Sequence, residues 1–93
     1  MIEVLYVEGA AWYLSLLGKH EEAYGLLAGA EAWRHRMGVP IAPVNVERQS
    51  RLGRMLEGRI DAYTRTALEA RAREAEPRAL LERAGGALAK PAN

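Results

Sequence analysis

The stretch from Ile2 to Leu17 is apolar on nearly every side of the helix that its spacing predicts. One stripe at helical spacing comprises Val4, Val7, Ala10, Ala11, Leu14 and Leu17. A second stripe comprises Leu5, Gly9, Trp12 and Leu16, with Tyr6 and Tyr13 beside it. A helix of this kind is normally covered on more than one side. We therefore expect a cover for the second stripe as well, either later helices of this chain or a partner.

A second amphipathic helix is predicted over residues 20–37, directly after a short break at Gly18. Its apolar stripe comprises Ala23, Leu26, Leu27, Ala30, Trp33 and Met37. Acidic residues in its first turn and basic residues in its last, Arg34 among them, suit the helix dipole, and Gly38 ends it. The short connection predicts an antiparallel hairpin.

The rest of the chain predicts a proline-containing loop and three short helices. Residues 39–44 hold two prolines and are expected to be extended, with Val39 and Ile41 packing inward. Asn45 is the expected N-cap of a third helix over residues 46–58, a fourth helix begins near Arg59 or Asp61, and a fifth begins at Pro77. The apolar faces expected for these helices are Leu52, Met55 and Leu56 in the third, Ile60, Tyr63, Ala67 and Leu68 in the fourth, and Leu80, Leu81, Ala84 and Leu88 in the fifth. Residues 69–76 are expected to be solvated, and Gly85 and Gly86 to weaken the last helix.

These elements make one small all-α domain over residues 1–89, with the hairpin in 2–38, capping helices in 45–89 and a frayed tail in 90–93. The 93 residues include no cysteine, which excludes disulfides and thiolate metal sites. No apolar run is long enough to span a membrane and no signal peptide is evident, so a cytoplasmic location without membrane contact is expected.

Residues 4–37 resemble a tetratricopeptide repeat. The small pair Ala10-Ala11 stands where that repeat has small residues, Gly18 stands at its turn glycine, and the second helix matches through Glu22-Ala23, Leu26-Leu27 and Ala30. Two positions depart from the pattern, since Ala11 replaces the usual glycine and Val7 the usual large aromatic residue.

A wider resemblance is to the C-terminal end of bacterial LuxR-type and SARP-type transcriptional regulators that carry an ATPase module. The matching pieces are 7–11, 18–23, 26–34, Gly38 and 41–43, followed more loosely by Tyr63, 67–71 and 77–81. The resemblance implies a terminal helical repeat with its cap, either as a fragment of such a regulator or as a short gene product of its own. The sequence has no phosphate-binding loop and no evident helix-turn-helix.

No motif predicts an enzyme, a cofactor or a metal site. The sequence contains only two histidines, His20 and His35, whereas a zinc site needs about three or four protein ligands. Glu8 is a carboxylate set inside the apolar first helix, and we expect it to face solvent or pair with an arginine. Ser15 and Ser50 lack the context of a serine nucleophile.

Two interaction surfaces remain as candidates. Nucleic acid could bind a partly basic helix face formed by Arg48, Arg51, Arg54 and Arg59, but Glu47 and Glu57 interrupt it and the net charge is only +1. The favoured candidate is the second stripe of the first helix, which would bind a protein partner, an upstream helical repeat or a second copy in a homodimer. Some of the aromatic residues must lie in the core; they are Tyr6, Trp12, Tyr13, Tyr24 and Trp33. The residues that we expect to bind the partner are Leu5, Tyr6, Trp12, Tyr13 and Leu16.

Overall fold

The computed structural model describes residues 2–40 and 43–89, and throughout these ranges the secondary structure is helical, without a strand. The five helices are α1 (Ile2–Leu16), α2 (His20–Met37), α3 (Pro43–Glu57), α4 (Ala62–Glu74) and α5 (Pro77–Ala89). The predicted all-α class is therefore confirmed. The expectations for Ile41 and for the tail over residues 90–93 lie outside the described residues.

Two glycines in the left-handed conformation end the first two helices. Gly18 has a φ of 79° and Gly38 a φ of 68°. After each, a backbone N–H reaches back to an unpaired carbonyl, from Lys19 to Leu14 at 3.0 Å and from Val39 to Arg34 at 2.9 Å. This arrangement satisfies carbonyls that the helix end would leave without partners. The chain reverses within three residues, so α1 and α2 form a hairpin.

Helix α2 contacts every other helix of the fold. The buried stripe of α1 packs on it, with Val4, Val7 and Leu14 each at most 2% exposed. Helix α4 runs along another side of α2, and α5 packs against both helices of the hairpin. The core between them includes Leu26, Ala30, Trp33, Leu56, Leu80 and Ala84.

Gly29 is the point at which α2 and α5 come closest. A methyl group built at Gly29 would overlap the side chain of Leu80, which is fully buried. The absence of a side chain at this position therefore makes room for the leucine of the last helix.

Helix α3 differs from its sequence-based prediction. It begins at Pro43, so residues 43–44 are helical rather than extended, and Asn45 lies inside the first turn rather than at the N-cap. Proline is well accommodated there, because the first turn of a helix needs no N–H donor. The Asn45 side chain instead accepts a hydrogen bond of 3.3 Å from Arg48.

Helix α4 begins where one of the two alternatives placed it. The Asp61 carboxylate accepts hydrogen bonds from the backbone N–H of Thr64 at 3.0 Å and from its hydroxyl at 2.6 Å. These bonds hold the pKa of Asp61 below its ordinary value. Asp61 is thus the N-cap of α4, and Arg59 precedes the helix.

Several burial predictions are wrong, and most of the errors fall in the second half of the chain. Ala72 and Ala75 are buried in the segment that was expected to be solvated, because α4 packs closely along α2. Helix α5 continues through both of its glycines to Ala89. The residues expected on buried faces that are instead exposed are Met37, Met55, Tyr63, Ala67 and Leu88.

The contact at Gly29 predicts opposite outcomes for two glycine substitutions. Gly29→Ala should lower the free energy of unfolding by about 1–3 kcal/mol, because the methyl group forces Leu80 to move in a packed core. Gly86→Ala should raise it by about 0.5–1 kcal/mol, because Gly86 lies in α5 with open space at its Cβ. Urea unfolding followed by circular dichroism measures both values. Equal effects at the two sites would contradict the close contact.

Candidate functional site

One side of α1 is exposed from Leu5 to Leu16. The exposed fractions are 49% for Leu5, 42% for Tyr6, 40% for Trp12 and 69% for Leu16. Gly9 is exposed between them, and Tyr13 is half-buried. At 100° per residue these six positions fall on one side of the helix, opposite the buried stripe. We call this set the α1 face.

The α1 face carries no charged side chain. Leucines, aromatic rings and one glycine make up the surface, and its polar atoms are the tyrosine hydroxyls and the indole N–H. Single exposed apolar residues are ordinary on a soluble protein, but a contiguous apolar patch commonly marks an interaction site. Each of the five predicted partner-binding residues, Leu5, Tyr6, Trp12, Tyr13 and Leu16, lies on it.

The later helices border the α1 face and leave most of it open. On one side, a methyl group at Gly85 of α5 would lie 3.6 Å from the Tyr6 hydroxyl. On the other side, the guanidinium of Arg48 in α3 lies 5.8 Å from the centre of the Trp12 ring. An indentation of about 290 Å³ separates α1 from α3 beside Trp12. The later helices α3 to α5, which were the alternative cover for this stripe, therefore cover only the edges of the stripe.

A buried ion pair lies beside the α1 face. The Glu8 carboxylate accepts two hydrogen bonds from Arg34 of α2, at 2.6 and 2.8 Å, and the two side chains are 8% or less exposed. Arg34 also donates to the carbonyl of Pro40 at 2.8 Å. The bonds to Glu8 raise the pKa of Arg34 above its ordinary value although burial opposes this, so the guanidinium stays charged.

Of the two outcomes expected for Glu8, pairing with an arginine is the one observed. Its partner was not foreseen, because Arg34 was interpreted as a residue that suits the dipole in the last turn of its helix. A signal was present in the spacing, since Arg34 lies four residues after buried Ala30 and Glu8 four residues after buried Val4. Both charges thus occupy positions that helical periodicity assigns to the core.

Three of the four arginines of the nucleic-acid candidate, Arg48, Arg51 and Arg54, follow one another at three-residue spacing on α3. Arg48 lies against Trp12, whereas Arg54 lines a groove on the other flank of α3. Arg51 is paired with Glu47 at 2.7 Å, and Arg59 follows the end of α3. The acidic partner of Arg51 offsets part of the positive charge that a phosphate backbone would need in one place.

The groove beside Arg54 is a feature that sequence reasoning missed. It is open, has a volume of about 940 Å³, and lies between α2, α3 and α4. Tyr24 borders it and donates a short hydrogen bond to Glu69 of α4. Burial, together with the hydrogen bond and charge of Glu69, raises the pKa of Tyr24 to about 12. The glutamates and arginines that line the groove are equal in number, three of each (Glu31, Glu57 and Glu69; Arg36, Arg54 and Arg73), and no single ligand charge is favoured.

Residues with catalytic or metal-binding potential are scattered. Within the ranges 2–40 and 43–89, no three His, Asp or Glu side chains stand close enough to hold a metal ion. The Ser15 hydroxyl donates to the carbonyl of Trp12 at 2.6 Å, within its own helix. Across the same residues, no helix combines the length and the apolar character that crossing a membrane requires.

Comparison with known proteins adds no relative. No protein-family model, no curated protein and no solved structure matches the chain.

The Glu8–Arg34 pair predicts a large difference between single and double substitutions. Arg34→Met leaves the Glu8 carboxylate buried without a partner and should lower the free energy of unfolding by about 3–5 kcal/mol. Glu8→Leu combined with Arg34→Met removes both charges and should recover most of that loss. Urea unfolding measures the three proteins. As a control, Arg51→Met breaks an exposed pair and should change stability by less than about 1 kcal/mol.

The raised pKa of Tyr24, caused by burial and by the hydrogen bond to Glu69, predicts a loss of stability in alkaline solution. The pKa of Tyr24 is raised in the folded state, so its contribution is present below the unfolded pKa of about 10 and is lost as the pH rises through about 12. Tyr24→Phe removes this dependence and should cost about 0.5–1.5 kcal/mol at neutral pH. Unfolding free energies of both proteins from pH 8 upward provide the measurement. Parallel pH profiles for the two proteins would contradict the prediction.

Proposed function

We propose that the chain is a non-catalytic protein-interaction module that binds its partner through the α1 face, as part of, or in association with, a bacterial transcriptional or signalling regulator. The observation that carries the proposal is the exposure of an uncharged apolar side of α1 from Leu5 to Leu16. The link to regulators rests on the resemblance of residues 4–37 and of the later segments to the terminal repeat of such proteins.

The composition of the α1 face supports protein binding. Three of its six residues are Tyr or Trp, which bring large apolar area with few rotatable bonds and so lose little entropy on binding. Such residues supply a large share of the energy in protein interfaces. Arg48 lies over the Trp12 ring, where a cation and an aromatic ring attract each other. We expect Trp12 to be the central anchor.

The scaffold beneath the face supports a preorganised mode of binding. The Glu8–Arg34 pair and the close contact of Gly29 with Leu80 fix α1 and α5 on α2. A helix that is already in place loses no folding entropy when it docks. The module would therefore present α1 as a rigid ridge for the groove or helix of another protein, such as a neighbouring helical repeat.

Site-specific photocrosslinking in the producing cells tests the proposal. A benzophenone amino acid at Leu16, the most exposed residue of the face, should give a defined crosslinked product on gel electrophoresis. The same amino acid at Tyr63 is the matched control, because Tyr63 is 85% exposed on α4, far in sequence from α1. The product from Leu16 should disappear when Gly9→Arg introduces a charged side chain into the middle of the face.

Two outcomes would count against the proposal. Products of equal yield from Leu16 and Tyr63 would show that contact at the face is random. The absence of any product from Leu16 would show that the face meets no protein. The mass of a defined product separates a second copy of the chain from a different partner.

A further inference from the structure

We propose that the α1 face binds a second copy of the chain, with the two α1 helices crossing antiparallel at Gly9 about a two-fold axis. This inference rests on the proposed function, since it names the partner of the same face.

Four residues of the α1 face are arranged symmetrically about Gly9. Leu5 and Tyr13 lie four residues before and after it, and Tyr6 and Trp12 lie three residues before and after it. When two such helices cross antiparallel at Gly9, each position meets the one at equal distance on the opposite side. Leu5 then contacts Tyr13 of the second copy, and Tyr6 contacts Trp12 of the second copy. A two-fold interface requires this match of a patch with itself.

Gly9 lies at the crossing point and leaves space there. A Cβ atom added to Gly9 would meet no atom of the chain within 4 Å. The fold itself therefore does not need a glycine here, and a glycine inside a helix lowers helix stability. A glycine at a crossing point lets two helix backbones approach more closely than side chains would permit. The close approach of a second helix would explain why a glycine occupies this position, which the contacts within a single chain do not explain.

The charges permit self-association. A face that pairs with itself places each charge opposite its own equivalent, and this face has none to repel. The formal net charge of the whole chain is +1, so two copies repel each other only weakly at a distance. Arg48 lies at the border over Trp12, where solvent remains accessible.

The size of the face predicts a weak dimer. Its side chains expose on the order of 500 Å² per copy, compared with about 800 Å² per partner in a standard stable interface. We therefore expect dissociation in the micromolar range. Such a dimer is populated at high local concentration and dissociates on dilution.

Analytical ultracentrifugation of the purified chain tests the inference. Between about 5 and about 300 µM the average mass should rise from 10.3 kDa toward twice that value. Trp12→Ala should weaken the association at least about thirtyfold, as expected for a central anchor. Tyr63→Ala is the matched control, since it removes an exposed aromatic ring elsewhere and should leave the association constant unchanged.

Gly9→Ala separates the dimer from the fold. Alanine is the better helix former, so this variant should unfold at a higher temperature as a dilute monomer. Its methyl group holds the two helices apart, so its association should be at least about tenfold weaker than that of the wild-type chain. A change that stabilises the monomer and weakens association cannot be attributed to misfolding.

A wild-type chain that stays monomeric at about 300 µM would overturn the inference, as would a Gly9→Ala variant that associates as strongly as the wild type. Because the purified chain offers only itself as a partner, this result bears on the second copy alone. The proposed function would then be decided by the crosslinking experiment, where a product heavier or lighter than two copies identifies a different partner.

Discussion

The ion pair between Glu8 and Arg34 determines how α1 is rotated on α2. Both side chains are buried, and the guanidinium donates two hydrogen bonds to one carboxylate while a third reaches the backbone of Pro40. A buried charge without its partner is expensive, so any rotation of α1 that separates the two is strongly disfavoured. Hydrophobic contacts alone would fix this rotation less firmly, because α1 has apolar residues nearly all round. The pair thus selects which apolar stripe enters the core and which one becomes the α1 face.

Much of the first half of the chain could be predicted from the sequence. Helical spacing identified α1 and α2, and glycine identified the ends at Gly18 and Gly38, because these are local effects of backbone conformation. The same spacing separated the stripe that is buried in the structure from the stripe that is exposed. It could not tell whether later helices would cover the second stripe, because this depends on where α5 and α3 settle in three dimensions.

Burial in the second half of the chain was harder to predict, because it depends on how the helices pack on one another. Ala72 and Ala75 are buried although their neighbours are charged, since small residues permit helices to pack closely without a conspicuous apolar pattern. Tyr63 was expected in an apolar face and is 85% exposed, because Leu68 and Ile60 supply the inward contacts of that region. The groove of about 940 Å³ has no sequence signature either, since three helices must come together to form it. The resemblance to the terminal repeat of bacterial regulators stays a prediction.

Helix α5 contacts α1, so the last helix of the fold packs on the first. Contacts between segments so distant in sequence form slowly and only after the intervening chain has been made. During synthesis on the ribosome, the apolar side of α1 that contacts α5 stays exposed to solvent until residues 77–89 have emerged. Until then, the α1–α2 hairpin exposes the side of α1 that meets α5 in addition to the α1 face.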